Sequence, residues 1–142
     1  MLDAEASAQT TDESQRLRRI AAIDIGTNST HLLVAQVDTT LRTFSILQAE
    51  KSTTRLGERD PDSGELTPSA MQRGYETLRR FRDLATSHQV EQIVTAATSA
   101  VREASNGRDF LQKIQDGLGM EVDLVSGPEE ARLIYLGVLS GM

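Results

Sequence analysis

The 142-residue sequence contains no cysteine. Disulfides, zinc–thiolate centres and thiol nucleophiles are therefore excluded, and a reducing cytoplasm fits. Tryptophan is also absent and aromatic residues make up only 4%, so the core is expected to consist of Ile, Leu, Val and Ala. No apolar run approaches the roughly 20 residues that cross a bilayer, and the N-terminus lacks the basic and apolar regions of a signal peptide. A membrane partner is not expected. The basic residues form no broad cluster. The net charge is −6, and four acids (Asp3, Glu5, Asp12, Glu13) stand in residues 1–14 with no base, leaving −2 for the body. A nearly balanced body argues against a nucleic-acid footprint and leaves room for a small anion held by a few local cations. The two histidines, His31 and His88, are far apart in sequence, so packed or hydrogen-bonded roles are expected rather than a metal cluster.

What is present is a globular α/β balance, 38% hydrophobic and 25% charged residues, enough for one modest domain or part of a larger one. The polar, aperiodic start reads as a disordered leader, taken as residues 1–18, with an ordered lobe over 19–142. Within the lobe, 19–25 and 30–37 are apolar runs joined by "GTNS", which predicts strand, turn and strand. "LRTFSILQAEK" (41–51) alternates at Phe44 and Ile46 and less cleanly at Gln48, predicting a third antiparallel strand.

"RLGERDPDSGELT" (55–67) reads as a loop, and Thr67-Pro68 as an N-cap followed by an N1 proline. The helix that follows should bury Met71, Tyr75, Leu78, Phe81 and Ala85, with Arg73, Arg79, Arg80 and Arg82 on a solvated face. "QIVTAATSA" (92–100) opens as a buried strand and ends in a "TS" pair suited to cap a helix at Ala100. A helix over 106–119, a strand over 120–127 and an apolar helix over 128–141 complete the order β-β-β-α-β-α-α-β-α. That order implies a mixed sheet with helices packed on it. The last helix is apolar up to Met142, so the lobe is expected to be incomplete.

Four places could carry chemistry. In "DIGTNST", Asp24 ends a strand, Gly26 lets the backbone turn, and Thr27, Asn28, Ser29 and Thr30 offer hydroxyls, an amide and backbone N–H groups. This can wrap a phosphate or be an ordinary polar turn. An acid at a strand end loses hydration unless it serves something, which makes the pattern more specific than a bare glycine pair but leaves both readings open. In "SGPEEAR" (126–132), Ser126 and Glu129 have capping-box spacing, which accounts for Glu129. Glu130 points about 100° further round the helix, free for other work or simply complementing the helix dipole. Arg102, in "TSAVREASNG", suits an oxyanion through its planar fork or is a surface arginine. Lys51 and Arg55, in "KSTTRLGE", pose the same alternative.

The four stretches "IAAIDIGTNSTHLLVA", "KSTTRLGE", "TAATSAVREASNGRDFL" and "VDLVSGPEEARLIYLGV" together resemble the exopolyphosphatase and guanosine pentaphosphate phosphatase (Ppx/GppA) family. The resemblance spans roughly residues 19–138. It implies a ribonuclease-H-like lobe of the actin-like ATPase superfamily, a mixed sheet of three antiparallel strands plus parallel strands with flanking helices. It further implies that Asp24 helps hold Mg²⁺, through water, and that Gly26, Thr27, Asn28 and Ser29 contact phosphate. By the same resemblance Arg102 contacts the bound chain, Arg55 is a cleft cation and Glu130 activates water.

The implied partners are inorganic polyphosphate or guanosine pentaphosphate, with a homodimer for the full-length protein. The implied reaction is hydrolysis of a terminal phosphoanhydride to orthophosphate. The family's second Gly-rich phosphate hairpin and second lobe have no counterpart in these residues, so the isolated chain is expected to be inactive. Two other readings stay open: an ATP-using kinase or ATPase of the same superfamily, against which the 126–138 stretch speaks, and a non-catalytic polyphosphate-binding module.

Overall fold

The computed structural model describes residues 16–125. The 1–15 portion of the expected leader, the Ser126–Glu129 capping box, Glu130 and the 128–141 helix lie outside the described residues. The elements are β1 (Leu17–Ile25), β2 (Thr30–Asp38), β3 (Thr43–Ser52), α1 (Pro68–Ser87), β4 (Gln92–Ala97), α2 (Ser99–Glu103), α3 (Gly107–Leu118) and β5 (Asp123–Leu124). They form a five-stranded sheet of order β3-β2-β1-β4-β5. β1, β2 and β3 pair antiparallel, and β4 and β5 add in parallel. This is the mixed α/β sheet with flanking helices that the resemblance implies.

The main core lies between one face of the sheet and the helices. Ala21, Ile23 and Ile25 of β1 and Leu32 and Val34 of β2 pack with Leu78 and Phe81 of α1 and Phe110 and Ile114 of α3. Each fully buried side chain of this size contributes roughly 1.5–3 kcal/mol. The alternation of a strand turns Ile20, Ala22 and Asp24 to the opposite face, where Ile20 and Ala35 form a small second cluster with Ala22 and Phe44.

Several boundaries and faces differ from those read off the sequence. β1 begins inside the expected leader, because Leu17 and Arg18 extend the ladder opposite Asp38 and Val37. Arg16 just before it pairs with Asp38 at 2.9 Å. In β3 the register shifts by one residue between Val34 and Ala35, which pair with Gln48 and Ile46. A bulge at Leu47 therefore interrupts the alternation at Gln48. Ile46 is exposed, because β3 is the edge strand.

α1 starts as expected, with Thr67 Oγ1 accepting from the Ala70 amide at 3.2 Å and Pro68 in the first turn. Its buried face, however, runs through Ala70, Gly74, Thr77, Leu78, Phe81 and Ala85. Met71 and Tyr75 are only partly buried. The helix approaches with its small side: a Cβ on Gly74 would stand 3.1 Å from Phe110 Cζ and 3.3 Å from Leu56 Cδ2.

The arginines of α1 are not a free solvated face. Arg73 donates to the Thr54 carbonyl (3.0 Å) and Arg82 to the Leu118 carbonyl (3.0 Å). Arg79 pairs with Glu76, and Arg80 lies over the Phe81 ring. α2 starts one residue earlier than Ala100, with Thr98 at the N-cap and no side-chain capping bond. α3 closes at Gly119, whose φ of 67° is in the left-handed region. β5 is confined to the two residues that find partners on β4, Ala96 and Ala97.

The cap and the core should separate in urea unfolding. Thr67→Ala is expected to cost about 1 kcal/mol, the usual loss of an N-cap. Phe110→Ala should cost about 3–5 kcal/mol through the cavity it leaves under α1.

Candidate functional site

The strand directions place the ends of β1, β3, β4 and β5 and the start of β2 along one rim of the sheet. Every described candidate residue lies on or just beyond that rim. Carboxyl ends of parallel strands are the usual ligand rim of open α/β sheets.

The turn 26–29 joins β1 to β2 and is closed by the Gly26 amide donating to the Ser29 carbonyl at 3.0 Å. A Cβ on Gly26 would stand 2.9 Å from that same oxygen, so the tight closure requires glycine there. The Gly26 amide is thus engaged within the turn.

A strap after β3 lies against the turn. Its Arg55 amide donates to the Asn28 carbonyl (3.1 Å) and its Gly57 amide to the Thr27 carbonyl (2.8 Å). A trans peptide points C=O and N–H in opposite directions. Capturing the carbonyls of Thr27 and Asn28 therefore turns the amides of Asn28 and Ser29 away from the strap. These two amides have no protein acceptor among the described residues. Thr27 and Asn28 are exposed and Ser29 half-buried.

The strap itself is anchored alternately. Thr54 and Leu56 are fully buried. Thr54 Oγ1 meets Thr30 Oγ1 at 2.9 Å, and its carbonyl accepts from Arg73. Arg55, exposed between them, sits at φ 51°. That conformation is unfavourable for a residue with a Cβ and persists here because both neighbours are fixed. The Arg55 side chain has no protein partner among the described residues, so its charge is available to a ligand.

Asp24 stands one residue before the end of β1, on the face away from the main core. The register aligns it with His31 of β2, and His31 with Lys51 of β3, so an acid and two basic side chains form a row across the rim. His31 is exposed rather than packed, because it lies on the sparsely covered face. His88, the other histidine, meets Gln48 Oε1 through Nε2 at 2.6 Å.

Asp24 Oδ1 is buried without a hydrogen-bond partner. Burial pushes the Asp24 carboxyl above its usual range of 3.8, with the charge of His31 acting the other way. A buried carboxylate oxygen without a donor is suited to a cation or to a water bound to one. The described residues hold no cluster of three or more His, Asp or Glu that could hold a metal ion. A single carboxylate oxygen of this kind would fit Mg²⁺, an ion that keeps several waters and takes one or two carboxylates beside phosphate oxygens.

Arg102 is not brought to the turn. Its Nη1 donates to the Val125 carbonyl at 2.9 Å and its Nη2 stands 4.0 Å from Glu103, so it ties α2 to the chain leaving β5. Three residues without an assigned role in the sequence join the rim. Ser99 Oγ lies 3.4 Å from Thr27 Oγ1. Arg59 reaches the carbonyls of Ser99 (3.4 Å) and Ala100 (3.0 Å). Gly57 lies against Thr27. The sequence signal for Ser99 was a capping pair, and Arg59 and Gly57 sat in what read as a plain loop.

The model of the Ppx/GppA phosphatase family matches residues 33–142. Among solved structures, a Ppx/GppA family member from Aquifex aeolicus is 30% identical, covers 86% of this chain and 39% of its own, and superposes with a TM-score of 0.77. An exopolyphosphatase from Cytophaga hutchinsonii is 36% identical over 85% of this chain and 38% of its own, with a TM-score of 0.75. The chain thus spans about two-fifths of the length of these relatives.

The raised value of Asp24 makes a signed prediction. A carboxyl raised on folding favours the folded state below its unfolded value, and that contribution is lost as pH rises through the folded value. Asp24→Asn is therefore expected to be more stable than wild type at about pH 7, with the gap closing towards about pH 4, in urea unfolding at both. Asp38, held below its usual range by the Leu41 amide and by Arg16, has the opposite sign. Asp38→Asn should be less stable than wild type near neutrality.

Proposed function

The chain belongs to the Ppx/GppA phosphatase family, and from that membership and the geometry of the rim we propose that it supplies the phosphate-holding side of a phosphoanhydride hydrolase. The substrate class is inorganic polyphosphate or guanosine pentaphosphate, and the product is the terminal orthophosphate. The observation that carries this reading is the turn at 26–29. Its two carbonyls are captured by the strap, its outward amides have no protein acceptor among the described residues, and it stands beside a buried carboxylate oxygen with no donor.

Hydrolysis of a phosphoanhydride requires the transferred group to be held, its developing charge to be met, and a water to be deprotonated and aligned. In the proposed arrangement the amides of Asn28 and Ser29 and the hydroxyls of Thr27 and Ser29 hold terminal phosphoryl oxygens, and Arg55 adds a positive charge at the edge of the turn. Asp24 would hold Mg²⁺, which when bound neutralises phosphate charge. Arg102 contacts the anionic chain with those of its five donors that Val125 does not occupy.

Glu130 would take the proton from the attacking water. Because the chain spans about two-fifths of its relatives, we assign to it one side of the site: binding of the anion without turnover, with hydrolysis at full family length.

Release of orthophosphate from polyphosphate and from guanosine pentaphosphate in the presence of Mg²⁺ tests this. In a protein of full family length, Glu130→Gln is expected to lower kcat by about 10²–10⁴-fold, the usual contribution of a general base, with KM changed far less. Unchanged kcat in that variant would remove Glu130 from the role. Mg²⁺-dependent orthophosphate release by the 142-residue chain alone, abolished by Glu130→Gln, would overturn the one-sided site.

A further inference from the structure

Gly57 presents a problem that the proposed chemistry does not absorb. Its φ is not in the left-handed region, where among the described glycines only Gly64 and Gly119 lie. Backbone freedom is therefore not what a glycine supplies here. Space is: a Cβ at this position would stand 2.5 Å from Thr27 Cγ2, while Thr27 O, at 3.4 Å, would be in ordinary contact. The methyl group is thus the single group that must move.

A change of rotamer moves that methyl out of the way, since the staggered wells of a β-branched side chain are about 120° apart. Such a rotation also carries Oγ1 away from Ser99 Oγ, from which it now stands 3.4 Å. The absent side chain at Gly57 therefore fixes where the Thr27 hydroxyl points. The same residue's amide holds the Thr27 carbonyl at 2.8 Å, which directs the following amide, that of Asn28, to the other side of the turn.

We propose that Gly57 is a positioning residue for the turn at 26–29: the space it leaves for Thr27 Cγ2 sets the Thr27 hydroxyl beside Ser99, and its amide orients the peptide whose N–H faces the bound phosphate. This rests on the reading of the turn as an anion site. Gly57 touches no substrate itself and acts through Thr27.

A double-mutant cycle on the 142-residue chain tests it, with affinity for tripolyphosphate in the presence of Mg²⁺ measured calorimetrically. Gly57→Ala should weaken binding about tenfold in the wild-type background, as expected for one misplaced polar contact. In the Thr27→Ser background the colliding methyl is gone and the hydroxyl remains, so adding Gly57→Ala should change affinity by less than about twofold. A purely structural role for Gly57 would give the same loss in both backgrounds and overturn the proposal.

Should Gly57→Ala alone fail to fold, Thr27→Ser with and without Gly57→Ala carries the comparison. Equal affinities support the proposal, and a tenfold difference overturns it. Wild-type binding with an unaffected Gly57→Ala variant would overturn the role of Gly57 and leave the anion site standing. A wild-type chain that does not bind tripolyphosphate would overturn the anion site and this inference with it.

Discussion

The parallel pairing of β1 with β4, from Ile20 opposite Gln92 to Ile25 opposite Ala97, is the constraint on which the rest depends. It ends two strands at the same rim, so the turn after β1 and the helix after β4 become neighbours although more than seventy residues separate Thr27 from Ser99. The Thr98 amide donates to the Ile25 carbonyl at 3.1 Å and prolongs the ladder into the turn. Sliding this pair by one residue would exchange the faces of Ile23 and Asp24, placing a carboxylate in the main core and an isoleucine beside the turn. The hydrophobic set of β1 therefore protects the position of its one acid.

On that frame the strap acts as a template. Buried Thr54 and Leu56 fix its path, Arg73 holds it from α1, and Arg59 ties its far end to the carbonyls of Ser99 and Ala100. Its two outward amides then set the orientation of two peptides in the turn. Orientation before the ligand arrives is what makes backbone donors effective toward a developing anion, since no reorganisation is left to perform. Two features that raise the energy of the unliganded chain, the buried oxygen of Asp24 and the left-handed Arg55, lie on the same rim. The first is of the kind a bound cation would relieve, and the second is held by the fixed neighbours of Arg55.

The sequence was legible where the governing chemistry is local. Thr67-Pro68 marks a helix start because the cap and the fixed φ act within one turn, and "DIGTNS" marks a tight polar turn because only its own atoms close it. It was illegible where one backbone meets another. The strap reads as a loop because its function resides in the amides of Arg55 and Gly57, which have no side-chain signature. The bulge at Leu47 breaks an alternation that would otherwise have identified β3 cleanly, and the small face of α1 was obscured by Met71 and Tyr75, which flank it. Arg102 reads from the sequence as either an oxyanion ligand or a surface arginine, and the oxygen it meets here is the Val125 carbonyl. The resemblance to the Ppx/GppA family was visible as four separated stretches. Nothing in any one of them indicates that Gly57 and Thr27 touch.

The central claim is that the rim at 26–29, 55–57 and 99–102 is the anion site of this chain. Backbone amide chemical shifts of the labelled chain, followed as Mg²⁺ and tripolyphosphate are added, test it most directly. The account predicts that the largest changes fall on the amides of Asn28 and Ser29, with smaller ones along the strap and at Ser99. Changes confined instead to the cavity lined by Arg108, Gln112, Gln115 and Asp123, with Asn28 and Ser29 unmoved, would contradict it.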